Sequence, residues 1–259
     1  MKAKLFLIET LSNLHVGSGE INYGLVDNLI QRDPVTNLPT INSSSLKGAL
    51  REHFQKEASL QIDVKNIFGS SPKENNATQR KQGALRFFEA DLISIPVRTS
   101  GSDLPFVNAS TKKLLQRQVE RLKQFNINAS AFNQLFGDEK AGDVIIEDLP
   151  GTKAYFNVAT DRIIIAGSNI VLLEESDLEQ LCDNEHLPII SRNCLEDGQS
   201  TNLFYEQVLP RYSHFATLVL GEEEPLDSFC NSLNNQIVQI GGNATIGYGY
   251  CKYTLFSTL

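Results

Sequence analysis

Residues Ile41 to Glu52 read INSSSLKGALRE. The serines stand before Leu46, Leu50 and Phe54, whose four-residue steps mark a helix with one buried stripe. Ser43, Ser44 and Ser45 can each serve as N-cap, because a serine oxygen accepts from an orphan amide of the first turn. Lys47 and Arg51 lie one turn apart and share a face. Free amides, the helix dipole and two cations make this end a phosphate site.

Working outward, the chain alternates strands with a few helices. Lys4 to His15 reads as a first strand, with an apolar run from Leu5 to Ile8. A glycine-rich loop, HVGSGEINYGLVD, fills His15 to Asp27, and a turn at DPVTNLP precedes the helix. Ser70 to Gln82 is polar and nearly free of large apolar groups, which predicts a mobile loop. ALRFFEADLISIPV then reads as a strand. Ser110 to Phe125 reads as a helix, with Leu115, Val119 and Leu122 on its apolar side. GDVIIED and the run from Lys153 to Glu174 look like strands, and Glu174 to Asp183 a short helix. Ile190 to Pro210 reads as an extended hairpin with Asp197-Gly198 at its tip. HFATLVLGE is a strand, PLDSFCNSLNN a helix, and QIVQIGGNATIGYGYCKYTLF a terminal β element. Strands dominate without a regular βαβ rhythm, so the fold class is α+β with insertions.

The chain has 259 residues, 41% of them hydrophobic, enough for one large domain with a real core. No stretch approaches the ~18 apolar residues of a membrane span. The run after Lys4 is too short for a signal peptide, and the expectation is a cytoplasmic protein without membrane contact. Cys182, Cys194, Cys230 and Cys251 are widely spaced with no CxxC pair, so reduced, mostly buried thiols are expected. Net charge is -8, which argues against a freely nucleic-acid-binding domain. Local fields decide association, however, and the basic residues cluster. Lys113, Arg117 and Arg121 form an i, i+4 row that suits either a solvated face or RNA contact.

The glycine motifs are near misses. GSGEIN has Asn22 where a dinucleotide fingerprint needs its third glycine, and Leu25 stands where a P-loop needs lysine. In GGNATIGYG the physical reading is a tight hairpin requiring positive φ, and the alternative is close approach of backbone to a ligand. His15, Asp27 and Asp33 flank the first glycine loop, where turn formation and acid–base chemistry both remain open.

Several segments, in chain order, resemble one family. INSSSLKGALRE is similar to the signature helix of the RAMP superfamily of CRISPR RNA-binding proteins, and HVGSGE with VDNLIQRDPVTNLP to the loop before it. ISIPVRTSGSDLPFVNAS, NLFYEQVLP and VQIGGNATIGYGY resemble the backbone subunit of type III-B (Cmr) effector complexes. The resemblance implies an RRM-like (ferredoxin-like) palm with finger insertions and a protruding β-hairpin thumb. Residues 1–259 would form one such domain, with insertions near 60–83, 100–150 and 190–204.

It also implies copies of the subunit stacked on CRISPR guide RNA beside other type III-B subunits. Single-stranded target RNA paired to the guide would be cut at regular intervals by 2′-hydroxyl attack, with Mg²⁺ or another divalent cation. By position Asp27 matches the catalytic aspartate and candidate metal ligand, with His15 and Glu206 as its companions. The RNA-facing set is Ser44, Ser45, Lys47, Arg51, Arg98, Arg192, Gly242 and Thr245. Val208 stands where a tyrosine is expected, and no zinc is implied because the Ser70 to Gln82 loop lacks a cysteine cluster. Two alternatives stay open: a catalytically inert RNA-binding scaffold, and a precursor-guide processing nuclease.

Overall fold

The computed structural model describes residues 1–19, 24–57, 60, 62–70, 81–100, 104–129, 139–141, 144–149, 151–152, 154–157, 163–165, 168–196 and 199–256. The chain opens with β1 (Lys2–Thr10), β2 (Thr40–Ile41), α1 (Ser43–Lys56), α2 (Val64–Phe68) and the long β3 (Arg86–Ser100). An excursion follows: β4 (Phe106–Thr111), α3 (Lys112–Gln124), β5 (Glu139–Ala141), β6 (Ile145–Ile146), β7 (Tyr155–Asn157), β8 (Ile163–Ile165), β9 (Ser168–Leu173) and α4 (Glu175–Leu181). A separate hairpin pairs β10 (Ile189–Glu196) with β11 (Gln199–Gln207). The chain returns through β12 (His214–Gly221), α5 (Glu223–Leu233), β13 (Ile237–Gln239) and β14 (Tyr250–Leu255).

The centre of the main sheet runs β14-β1-β12-β3, and each neighbouring pair is antiparallel. With α1 linking β1 to β3 and α5 linking β12 to β14, this is the βαββαβ order of a ferredoxin-like, RRM-like palm. The fold is α+β, as the strand-rich pattern predicts. Between β3 and β12 the described chain leaves the palm, and there β4 pairs in parallel with β9.

The run LFLI in β1 is apolar throughout because the sheet is covered on both faces. Phe6 and Ile8 join the core beneath α1 and α5, while Leu5 and Leu7 join the one beneath α3. The predicted stripe of α1 packs as read: Leu46, Leu50 and Phe54 are buried, with the Phe54 and Phe229 rings 5.5 Å apart. Leu115, Val119 and Leu122 likewise bury the inner side of α3.

Three expectations are corrected. Asn42, not a serine, occupies the N-cap of α1, and its own side chain makes no capping bond. The first strand stops at Thr10, so His15 lies in the following loop. The Thr111 hydroxyl caps the predicted basic helix by accepting from the Leu114 amide at 3.1 Å, so helix begins only at Lys112. The five-residue α2 was not foreseen; Asp63 caps it through the Asn66 amide. Most of the predicted loop, residues 71–80, and the hairpin tip at 197–198 fall outside the described residues.

Cys182, Cys230 and Cys251 are buried free thiols, and burial pushes Cys182 and Cys230 up to about 12. The Cys194 side chain is outside the described set. Among the described residues, no helix is long and apolar enough to cross a membrane.

Candidate functional site

Three backbone segments meet beside the palm. Leu14 pairs with Leu209, Gly17 with Ile30, and Asn28 runs parallel to Glu206. The Gln31 amide donates to Val16, and the Gln207 amide to Asn28, both at 2.9 Å. The GGNATIGYG turn closes on this junction. Gly242 donates to the His15 carbonyl at 3.0 Å, and Gly249 to Asn13 at 2.8 Å. Gly241 has φ +78°, and a Cβ there would stand 2.2 Å from the His15 oxygen. The glycine is thus needed for close approach to the protein's own backbone, which is the hairpin reading of this motif.

His15 and Glu206 face each other inside the junction, 7% and 4% exposed. His15 Nδ1 lies 2.7 Å from the Gln207 carbonyl oxygen. That oxygen only accepts, so Nδ1 carries a proton. His15 Nε2 is 3.4 Å from Glu206 Oε1. Glu206 Oε2 accepts from Asn243 Nδ2 at 2.7 Å and lies 3.3 Å from an Arg192 guanidinium nitrogen. Arg192 also lies over the Phe204 ring.

Asp27 stands one step away but points outward. Its Oδ2 accepts from the Tyr205 amide at 2.7 Å, and its own amide donates back to the Tyr205 carbonyl at 3.0 Å. It is exposed, and Oδ1 has no partner among the described residues. The sequence-predicted trio of Asp27, His15 and Glu206 is therefore brought together by residues 205–207 of β11.

The serine-headed end of α1 is tied to the same loop. Buried Gln31 accepts from the Asn42 amide at 2.8 Å and donates to Ser45 Oγ at 3.1 Å and to the Gly17 carbonyl at 3.2 Å. One side chain thus links the start of α1 to the residue two after His15. Ser44 is exposed at this end.

The predicted cations divide. Lys47 is partly buried, and burial, followed by the nearby Arg51 charge, lowers its pKa. Arg51 turns away to bond the carbonyls of Phe68 at 2.7 Å and Gly69 at 3.0 Å, closing the C-terminus of α2. Arg98 is exposed on β3 and pairs with Asp148 and Glu147, so it joins none of the contacts around Glu206. Arg192 enters the site as an ion-pair partner of Glu206. Gly242 and Thr245 are exposed on the glycine-rich turn. In the α3 row, Lys113 pairs with Glu175, and Arg121 pairs with Asp91 and Glu89 over the Phe88 ring. Two of its three cations are held by acids of the fold, which favours the solvated-face reading.

Sequence reasoning missed Gln31, Asn243, and the main chain of Tyr205 and Gln207. A motif scan weighs side-chain type, whereas these groups act through backbone atoms or as amides in turns. The signal for Asn243 was the glycine-rich turn that holds it. Val208, at the position where a tyrosine is expected, is fully buried.

Among the described residues, no three His, Cys, Asp or Glu gather as a metal-ligand set. Mg²⁺ needs only one or two carboxylates when phosphate oxygens and waters complete its shell. The free oxygen of Asp27 fits that requirement.

The profile of the RAMP superfamily matches residues 7–252. A Pyrococcus furiosus protein named CRISPR system Cmr endoribonuclease Cmr4 is 25% identical over 98% of this chain and 96% of its own. A type III-B Cmr-beta complex bound to cognate target RNA contains a chain of similar fold. Its TM-score is 0.79 at 25% identity, covering 98% of this chain and 97% of that one. Oligomeric Cmr4 from Pyrococcus furiosus shares the fold at a TM-score of 0.69 and 22% identity, covering 99% and 98% of the two chains.

Proposed function

The chain belongs to the RAMP superfamily, and on that premise we propose that it is the guide-binding backbone subunit of a cytoplasmic type III-B CRISPR effector and cuts guide-paired target RNA. Copies stack along the guide beside other effector subunits, with the serine-headed end of α1 and Lys47 against the sugar-phosphate strand. Base pairing reads sequence, so the protein needs only phosphate and sugar contacts.

The observation that carries the nuclease reading is the placement of Asp27. An exposed carboxylate is fixed by the Tyr205 amide, one residue from the buried Glu206–His15 pair. In the proposed step, the 2′-oxygen beside the scissile phosphate attacks phosphorus, and the bond to the 5′-oxygen breaks. The leaving 5′-oxygen takes a proton from water, so the products are a 2′,3′-cyclic phosphate and a 5′-hydroxyl. Asp27 takes the 2′-hydroxyl proton, a role that contributes about 10²–10⁴-fold. The alternative role for the same carboxylate is to hold a Mg²⁺, which would neutralise charge on the scissile phosphate, in place of taking the proton itself. His15 and Glu206 hold the loop that presents Asp27. Displacing the target nucleotide from the duplex supplies the in-line geometry that lowers the rest of the barrier.

A second reading, the inert scaffold, draws on Val208, which puts an apolar side chain at the position of the expected tyrosine. Asp27→Ala in the assembled complex separates them. Loss of cyclic-phosphate products with guide assembly intact supports the nuclease; unchanged product bands leave the scaffold.

A further inference from the structure

Glu206 can point at His15 only if its carboxylate does not rotate, and the contacts on its far oxygen govern that. Asn243 Nδ2 donates to Oε2 at 2.7 Å, while Asn243 Oδ1 accepts from the same Arg192 nitrogen that faces Glu206. One amide therefore serves the anion with its donor end and the cation with its acceptor end. A carboxylate cannot donate, and a hydroxyl is too short to span both. The backbone is fitted to the task as well: Asn243 has φ 64° and ψ 28°, left-handed values that asparagine tolerates. The turn that carries it is anchored to the His15 carbonyl through Gly242. Three separated segments, Arg192 on β10, Glu206 on β11 and the glycine-rich turn, converge on this side chain.

We propose that Asn243 is a positioning residue for target cleavage. It locks the Glu206 carboxylate with Oε1 on His15, and through Arg192 it couples that orientation to the β10–β11 hairpin. The proposal rests on the nuclease reading above, in which Glu206 and His15 support Asp27.

The test uses the assembled effector with guide and complementary target RNA. Asn243→Gly keeps the left-handed backbone and removes only the amide. Asn243→Asp keeps the size but turns the donor into a second carboxylate against Glu206. A hydrogen bond to a charged group is worth roughly a tenfold or larger effect on rate. Both variants should therefore slow single-turnover cleavage at saturating target about tenfold. Guide assembly and target affinity should stay within about twofold of wild type. Because Asn243 acts through Glu206, the double variant with Glu206→Gln should cut no more slowly than Glu206→Gln alone.

The proposal is overturned if Asn243→Gly cuts at the wild-type rate while Glu206→Gln is slowed. Multiplicative losses in the double variant, or a defect confined to weaker target binding, overturn it too. A wild-type complex that leaves its target intact refutes the nuclease reading and this role together. Wild-type cutting by Glu206→Gln removes Glu206, and with it Asn243, but leaves Asp27 standing.

Discussion

The Tyr205 amide donates to Asp27 Oδ2 at 2.7 Å, so a backbone group, not a side chain, aims the acid that faces solvent. This bond needs an oxygen acceptor and no charge. Asp27→Asn can keep it, and its stability should stay within about 0.5 kcal/mol of wild type, the range of ordinary surface changes. Asp27→Ala loses the acceptor and should cost about 1 kcal/mol more. On the proposed reading both should slow target cleavage about 10²–10⁴-fold, because each would remove the base. Urea midpoints beside product analysis check this. An asparagine variant that cuts normally would show that charge at this position is irrelevant.

Gln31 is the mechanical link between the helix end and the loop of His15. Gln31→Ala leaves the Asn42 amide and the Gly17 carbonyl without that partner. A loss of about 1–3 kcal/mol in unfolding free energy follows. Guide affinity and cleavage should fall together, since both sites hang on this side chain. A variant that loses one and keeps the other would mean the two surfaces are held independently.

The sequence made the α+β class and the helices legible because apolar period and burial coincide. The stripe Leu46, Leu50, Phe54 is buried as its spacing requires, and LFLI is buried on both sides of the sheet. The helix cap was misread because local chemistry offered three serines, whereas a distant glutamine took the cap amide. Arg51 was read by charge, yet its five donors suited the open carbonyls ending α2. Such choices depend on which chain segment arrives next to the residue, and spacing along one chain does not carry that.

His214 is fully buried, with Nδ1 3.0 Å from Ser94 Oγ, and burial lowers its pKa to about 4. The unfolded side chain titrates near ~6.5. Between these values the unfolded chain binds a proton that the native one does not, so stability falls as pH drops from about 6.5 to about 4. The loss from this residue totals about 3 kcal/mol and levels off below that window. His214→Gln keeps a polar partner for Ser94 and removes the titration. Urea midpoints between neutral and mildly acidic pH should show a shallower slope for the variant. An unchanged slope would assign the acid sensitivity elsewhere.

Two glycines of the terminal turn separate strain from collision. Gly247 has φ +84° and open space where a Cβ would sit, so Gly247→Ala should cost only the left-handed penalty, about 1–2 kcal/mol. Gly241→Ala adds a collision with the His15 carbonyl and should cost about 3–5 kcal/mol. It should also displace His15. Thermal melts rank the pair, and equal losses would mean that the turn moves freely from His15.

Lys47 and Arg51 look interchangeable on a helical wheel, but they should fail differently. Arg51 holds the carbonyls of Phe68 and Gly69, so Arg51→Ala unties α2 and should lower stability by about 1–3 kcal/mol, largely independent of RNA. Lys47 has no such bond among the described residues, and burial, followed by the Arg51 charge beside it, already disfavours its ammonium. A phosphate at the head of α1 would relieve that repulsion. Lys47→Ala should therefore leave the fold intact and weaken guide binding, lowering the salt slope of log affinity by about 0.7 for the one phosphate lost. If instead Lys47→Ala binds guide with the wild-type salt slope, the strand does not pass this helix end, because a cation that neutralises a phosphate must release a counterion.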